Sequence, residues 1–158
     1  MAKKDDKTNV MRLLEQKKIA YEPVDFEEFE STNGVDIANY LGEDPNQAFK
    51  TLVTIGKTNK NYVFVIPVNA ELDLKKAAKS CGEKSIEMIK QKDLLPLTGY
   101  IHGGCSPIGM KKFFTTYVHM TAKDFSKIYF SAGKVGHQVK VAPEDLGKII
   151  KFEYADLC

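Results

Sequence analysis

The stretch Phe49-Lys50-Thr51-Leu52-Val53-Thr54-Ile55-Gly56, then Lys57-Thr58-Asn59-Lys60-Asn61, then Tyr62-Val63-Phe64-Val65-Ile66-Pro67-Val68 decides the architecture. Two runs rich in β-branched and aromatic residues flank five polar ones, which is the pattern of a β-hairpin. In strict alternation Lys50 shares a face with Leu52 and Thr54, while Phe49, Thr51, Val53 and Ile55 share the other. A strand this apolar belongs inside a sheet. A second hairpin is expected from residues 127–131 and 137–141, around Ala132-Gly133-Lys134-Val135-Gly136.

Working outward, further strands are expected at 21–26, where Pro23 marks a sheet edge, at 115–120 and at 151–154. Helices are expected from Thr8 or Asn9 to 18, with Val10, Met11, Leu13 and Leu14 on one side, and over 35–41, stopped by Gly42. Residues 27–33 form an acidic loop, and Asp44-Pro45 restarts a helical turn. Further helices are read over 72–80, capped by Asp73 and ended near Cys81-Gly82, over 85–95 up to Pro96, and over 143–150 behind Pro143. Residues 121–126 make a turn or short helix. Residues 1–7 are charged and expected to fray. Strands and helices mix irregularly and hairpins dominate. The fold class is therefore α+β (mixed α/β), one domain over 1–158 with a mostly antiparallel or mixed sheet and no regular βαβ array.

A chain of 158 residues is one domain's worth and long enough to bury a core without staples. The formal charge of +2 is too near neutral to imply nucleic acid by itself, although clustered lysines leave room for a basic face. No apolar run reaches membrane-spanning length, and the start lacks a signal-peptide pattern. Cys81, Cys105 and Cys158 are far apart and form no CxxC pair, which argues against a disulfide framework or structural zinc and fits a reducing cytosol. His102, His119 and His137 lack metal-ligand spacing, so no metal and no cofactor are expected.

Chemistry concentrates in Gly99-Tyr100-Ile101-His102-Gly103-Gly104-Cys105-Ser106-Pro107-Ile108-Gly109-Met110-Lys111-Lys112. Glycines permit positive φ and close approach of a ligand. Turning peptides can aim N–H groups at a phosphate or an oxyanion. The same residues also suit a plain tight turn. The run is neither a Walker loop nor a dinucleotide fingerprint. Cys105 would need a base in reach to act as a nucleophile, and no histidine is assigned to it; Ser106 suits a local turn hydrogen bond. Lys50 either sits in a pocket, where it could bind phosphate or polarise a carbonyl, or is solvated at the strand's mouth. Lys111 and Lys112 flank the glycine loop, where a phosphate backbone would meet them.

In order along the chain stand Phe49-Lys50-Thr51-Leu52, Leu72-Asp73-Leu74-Lys75-Lys76, Thr98-Gly99-Tyr100 with Gly103-Gly104-x-Ser106-Pro107-x-Gly109, and Ile128-Tyr129-x-Ser131-x-Gly133-Lys134. Together they resemble the YbaK/EbsC family, free-standing aminoacyl-tRNA deacylases related to the editing domain of bacterial prolyl-tRNA synthetases. The resemblance runs from about Val10 to Asp156. It implies a twisted, partly barrel-like sheet flanked by helices. It also implies cytoplasmic clearance of a wrong amino acid from tRNA. The Ser-Pro-x-Gly loop and the Ser131-Ala132-Gly133-Lys134 turn look most like the branch that removes cysteine from tRNA(Pro), working in trans with prolyl-tRNA synthetase as partner.

By the same resemblance, Lys50 and the backbone of Gly103 carry catalysis. Thr51, Tyr100, Gly104, Ser106 and Ser131 belong to the substrate pocket. Phe26 falls near a position where some members have a tyrosine, and Gln138 where some have an acid. Cys105 stands where relatives are commonly aliphatic. In the cysteine branch the substrate's own thiol attacks its ester carbonyl, so the protein needs only to orient the ester and stabilise the oxyanion. Two rival readings remain: hydrolysis of Ala-tRNA(Pro) or another misacylated tRNA by an activated water, and a non-catalytic module that binds tRNA or the synthetase.

Overall fold

The structure, a computed structural model, describes residues 7–158; the expected frayed start falls, for residues 1–6, outside the described residues. Helix α1 (Asn9–Gln16) begins where the Thr8 hydroxyl accepts the Met11 N–H at 3.2 Å, and it buries Val10, Met11 and Leu14 on one face. Strand β1 (Glu22–Asp25) follows. Helix α2 (Gly34–Leu41) is capped by Asn33, whose side chain accepts the Asp36 N–H at 3.0 Å. It ends at Gly42, at φ 74°, a conformation glycine adopts without strain. The Glu43 N–H then bonds back to the Ala38 carbonyl at 2.8 Å, closing a Schellman turn.

Strands β2 (Phe49–Gly56) and β3 (Asn61–Pro67) form the expected hairpin, with Lys50 opposite Ile66 and Thr54 opposite Tyr62. The remaining elements are α3 (Leu74–Cys81), β4 (Ile86–Met88), α4 (Gln91–Thr98), β5 (Thr115–His119), a 3₁₀ turn over Met120–Asp124, β6 (Ile128–Ser131), β7 (His137–Val141), α5 (Pro143–Leu146) and β8 (Glu153–Ala155). A five-stranded sheet runs β4-β2-β3-β5-β8, and a three-stranded sheet runs β1-β7-β6. The smaller sheet is antiparallel throughout, with β1 and its Pro23 at the edge. In the larger one β5 and β8 add in parallel.

The two sheets meet where β2 begins. Ala48 and Tyr129 form a parallel bridge, the Tyr129 N–H donates to the Gln47 carbonyl at 3.1 Å, and Gln47 Nε2 donates to the Lys127 carbonyl at 2.8 Å. The combined surface therefore curls partway toward a barrel without closing. Both faces of β3 are covered, so six of its seven residues are buried. One face packs Val53, Val63, Val65 and Val118 against α1 and the smaller sheet; the other packs Phe64 and Ile66 against Ala77 and Ala78 of α3 and against Leu157. Phe64, Phe130, Leu14 and Ile66 are fully buried. Each such side chain contributes about 1.5–3 kcal/mol relative to leaving it in water. Among the described residues no helix is long and apolar enough to cross a membrane.

Two expectations need correction. The helix read over 85–95 is split: Ile86–Met88 is β4, paired antiparallel to Thr54–Gly56, and the helix starts only at Gln91. It then runs through Pro96 to Thr98. A short helix tolerates this because an interior proline removes only the one N–H that would reach back four residues. The helix read over 143–150 is a single turn, α5, followed by further turns in which Ile149 and Ile150 both bond back to the Leu146 carbonyl.

Candidate active site

A cavity of about 180 Å³ opens where the two sheets meet. It is smaller than the roughly 300–1,000 Å³ of sites for drug-sized ligands and suits a group the size of one amino acid. Residues 49–52 of β2 form one wall. Phe26 lies just beyond β1, Ser131 at the end of β6, and His137 with Gln138 at the start of β7. The glycine loop contributes His102, Gly103 and Cys105, and the approach to α2 contributes Thr32 and Gly34.

Local hydrogen bonds fix these walls. In the β6–β7 turn the Ala132 N–H donates to the His137 carbonyl at 3.0 Å, and the Ser131 hydroxyl accepts the Gly133 N–H at 3.1 Å. The glycine loop lies on that turn: a Cβ on Gly104 would stand 3.1 Å from the Val135 nitrogen. Gly103 is at φ +87°, and a Cβ there would meet Thr32 Cγ2 at 2.6 Å. Glycine at 103 thus satisfies both the backbone conformation and the close approach of the 32–34 segment.

Of the residues singled out in the sequence, Lys50, Thr51, Gly103, Phe26, Ser131 and Gln138 line this one cavity. Lys50 forms no ion pair among the described residues, which leaves its ammonium available. Thr51 Oγ1 is buried without a hydrogen-bond partner among the described residues, as is Gln138 Oε1. Phe26 is buried and supplies an aromatic wall without a hydroxyl.

Tyr100, Gly104 and Ser106 are not among the residues that line the cavity. The Tyr100 hydroxyl donates to the Ile108 carbonyl, and Ser106, fully buried, accepts the Ile108 N–H at 3.3 Å. Their polar atoms are spent bracing the loop at Ile108. Lys111 and Lys112 also lie outside it. Lys111 Nζ donates to the Pro96 carbonyl at 3.5 Å, and Lys112 Nζ sits 5.7 Å from the centre of the Phe114 ring.

Cys105 lines the cavity, but burial pushes its thiol up to about 12, so it carries its proton at neutral pH. Sequence reasoning left His137 unassigned, and the structure gives it a role. His137 lines the cavity, and its Nε2 is 2.5 Å from Glu27 Oε2, which Lys134 also approaches at 3.6 Å. That bond holds the Glu27 carboxyl below the usual carboxylate range. The 110 residues between the partners left no spacing signal. Asp25, Glu27 and His137 also bring three metal-ligating atoms within 4.8 Å of one another, although Glu27 is already engaged by His137 and Lys134.

A model of the aminoacyl-tRNA editing domain matches residues 31–149. An Enterococcus faecalis protein, EbsC, named as a candidate Cys-tRNA(Pro)/Cys-tRNA(Cys) deacylase, is 47% identical over 160 residues, covering 99% of this chain and 98% of its own. Among solved structures, hypothetical protein APE2540 superposes with a TM-score of 0.86 at 19% identity, covering 95% of this chain and 99% of that one. A candidate trans-editing enzyme for prolyl-tRNA synthetase superposes with a TM-score of 0.78 at 22% identity, covering 95% and 97%. At those identities the two likenesses speak for the fold alone, whereas the domain match and the EbsC relationship speak for the family. The chain therefore belongs to the aminoacyl-tRNA editing domain family, in its YbaK/EbsC group.

Proposed function

We propose that this protein is a trans-editing deacylase that clears cysteine from mischarged tRNA(Pro) in the cytoplasm, with prolyl-tRNA synthetase as its partner. The name carried by its 47%-identical relative supports the substrate class. The observation that carries the mechanism is the chemistry of the cavity. It holds a lysine that forms no ion pair among the described residues, and a glycine-lined loop, while burial keeps its thiol protonated.

The reaction is substrate-assisted. The thiol sulfur of the esterified cysteine attacks its own ester carbonyl carbon and forms a C–S bond. The C–O bond to the terminal ribose breaks, the thiol proton passes to the departing ribose oxygen, and a thiolactone leaves. The Lys50 ammonium and the backbone around Gly103 stabilise the developing oxyanion. Thr51 Oγ1 and Gln138 offer hydrogen bonds that orient the ester, with Phe26 and Ser131 shaping the pocket. Orientation can contribute about 7–11 kcal/mol. One preorganised donor contributes about 3–4 kcal/mol. Lys111 and Lys112 meet tRNA phosphates outside the cavity. The test is mass spectrometry of a rapidly quenched reaction with Cys-tRNA(Pro). Thiolactone appears before free cysteine if the account is right; free cysteine alone from the earliest time point contradicts cyclisation.

The His137–Glu27 pair favours a second reading, in which His137 activates a water that hydrolyses Ala-tRNA(Pro). On that reading Glu27→Gln slows hydrolysis of Ala-tRNA(Pro) far more than it disturbs the fold.

A further inference from the structure

Among the described residues, the buried side-chain oxygens with no hydrogen-bond partner include Glu43 Oε1 and Gln138 Oε1. They belong to neighbouring side chains, and in the arrangement present it is the Gln138 N–H that faces the Glu43 carboxyl. Glu43 does not line the cavity, whereas Gln138 does. The Schellman turn closed by Gly42 brings Glu43 to this position, and β7 brings Gln138. An ionised carboxylate accepts hydrogen bonds only, and so does the carbonyl oxygen of an amide. With the Gln138 amide turned over, a proton on the Glu43 carboxyl bridges the two side chains and gives Gln138 Oε1 a donor. Leaving both bare in a buried setting is costly.

We propose that Glu43 is a positioning residue, which donates a carboxyl proton to Gln138 Oε1 and so turns the Gln138 N–H groups toward the substrate. Once that proton is lost to solvent, the carboxylate demands a donor. The Gln138 amide then turns over, giving its N–H groups to Glu43 and its carbonyl oxygen to the cavity. One wall of the pocket thus changes from donor to acceptor without any backbone movement. For an aminoacyl ester, the donor state suits the ester oxygens and the acceptor state suits the α-ammonium group.

The balance of charges agrees with this placement. Burial pushes the Glu43 carboxyl up to about 7, against two opposing influences, the Gln138 amide and the charge of Lys140 two residues farther along β7. Here burial outweighs the lysine.

This assignment rests on the deacylase reading only for its effect on catalysis; the link between Glu43 and Gln138 stands apart from it. NMR of the full chain, following the Glu43 side-chain carboxyl carbon and the Gln138 side-chain amide nitrogen from pH 5 to 9, tests the link without substrate. We expect both signals to shift with one midpoint near neutrality, and Glu43→Gln to abolish the Gln138 shift, because glutamine donates at every pH. Should that variant fail to fold, Gln138→Leu reads the same link by moving the Glu43 midpoint. A Glu43 midpoint in the ordinary carboxylate range, a Gln138 shift that persists in Glu43→Gln, or a midpoint indifferent to Gln138→Leu overturns the proposal. In deacylation of Cys-tRNA(Pro), Glu43→Ala is expected to lower kcat/KM about tenfold, the scale of one hydrogen bond in a buried site. Glu43→Gln is expected to flatten the rate's pH dependence between 6 and 8, and an unaltered pH profile overturns the positioning role. Coupled NMR titration without turnover of any aminoacyl-tRNA supports the Glu43–Gln138 link and overturns the deacylase reading instead.

Discussion

His137 Nε2 lies 2.5 Å from Glu27 Oε2, joining the first residue of β7 to the loop after β1 at the wall of the cavity. The bond to His137, aided by its charge, lowers the Glu27 carboxyl from its ordinary 4.5. A carboxyl lowered by folding stabilises the native state above its unfolded value, and that contribution is lost as pH falls through the lower, folded value. Glu27→Gln should therefore lower Tm at neutral pH, with the gap to wild type closing as pH drops below about 4.5. Thermal melts across pH 3 to 8 measure it. A gap that widens in acid would contradict the sign.

Lys50 combines a place in the cavity wall with freedom from any ion pair among the described residues. Lys50→Ala should reduce deacylation on the order of 100-fold or more, the scale of one lost electrostatic contact to a developing oxyanion. Tm should barely change. If the protein were only a tRNA- or synthetase-binding module, the same variant would weaken salt-dependent binding and there would be no turnover to lose.

Burial pushes the Cys105 thiol up to about 12. A protonated thiol is a poor nucleophile, so Cys105→Ala should keep activity within about threefold of wild type. Iodoacetamide at pH 7 should leave Cys105 unmodified in the native protein, as mapped by peptide mass spectrometry. Loss of activity in a folded Cys105→Ala would restore the case for a protein nucleophile.

Gly103→Ala tests the loop. The new methyl would stand 2.6 Å from Thr32 Cγ2, on a residue held at φ +87°. The conformational strain alone is about 1–2 kcal/mol. Deacylation should fall more steeply than stability, because the methyl acts at the cavity rim. Steady-state kinetics beside urea melts separate the two effects.

The hairpin β2–β3 was legible because period-2 alternation is a local signal and both strands carry it. The caps of α1 and α3 were legible for the same reason, since Thr8 and Asp73 act within three residues. Segment 86–88 was not legible: three residues are too few to show a period, and only pairing with distant β2 makes them a strand. The cavity itself was half legible. The family resemblance named Phe26, Lys50, Thr51, Gly103, Ser131 and Gln138, and these six line one cavity. Tyr100 and Ser106 share the glycine motif but turn their polar atoms inward to Ile108; the local turn bond of Ser106 is expected from the sequence, whereas the Tyr100 contact is not. Glu27 with His137, and Glu43 with Gln138, are pairs made by folding, and nothing local announces them.

The central claim is best tested by a deacylation panel of Cys-, Ser-, Ala- and Pro-tRNA(Pro), each with and without prolyl-tRNA synthetase. Cysteine should be lost rapidly and serine little, because serine matches cysteine in size but offers a much weaker internal nucleophile. Serine released as fast as cysteine would contradict the cyclisation mechanism, and no turnover of any member would contradict the enzyme.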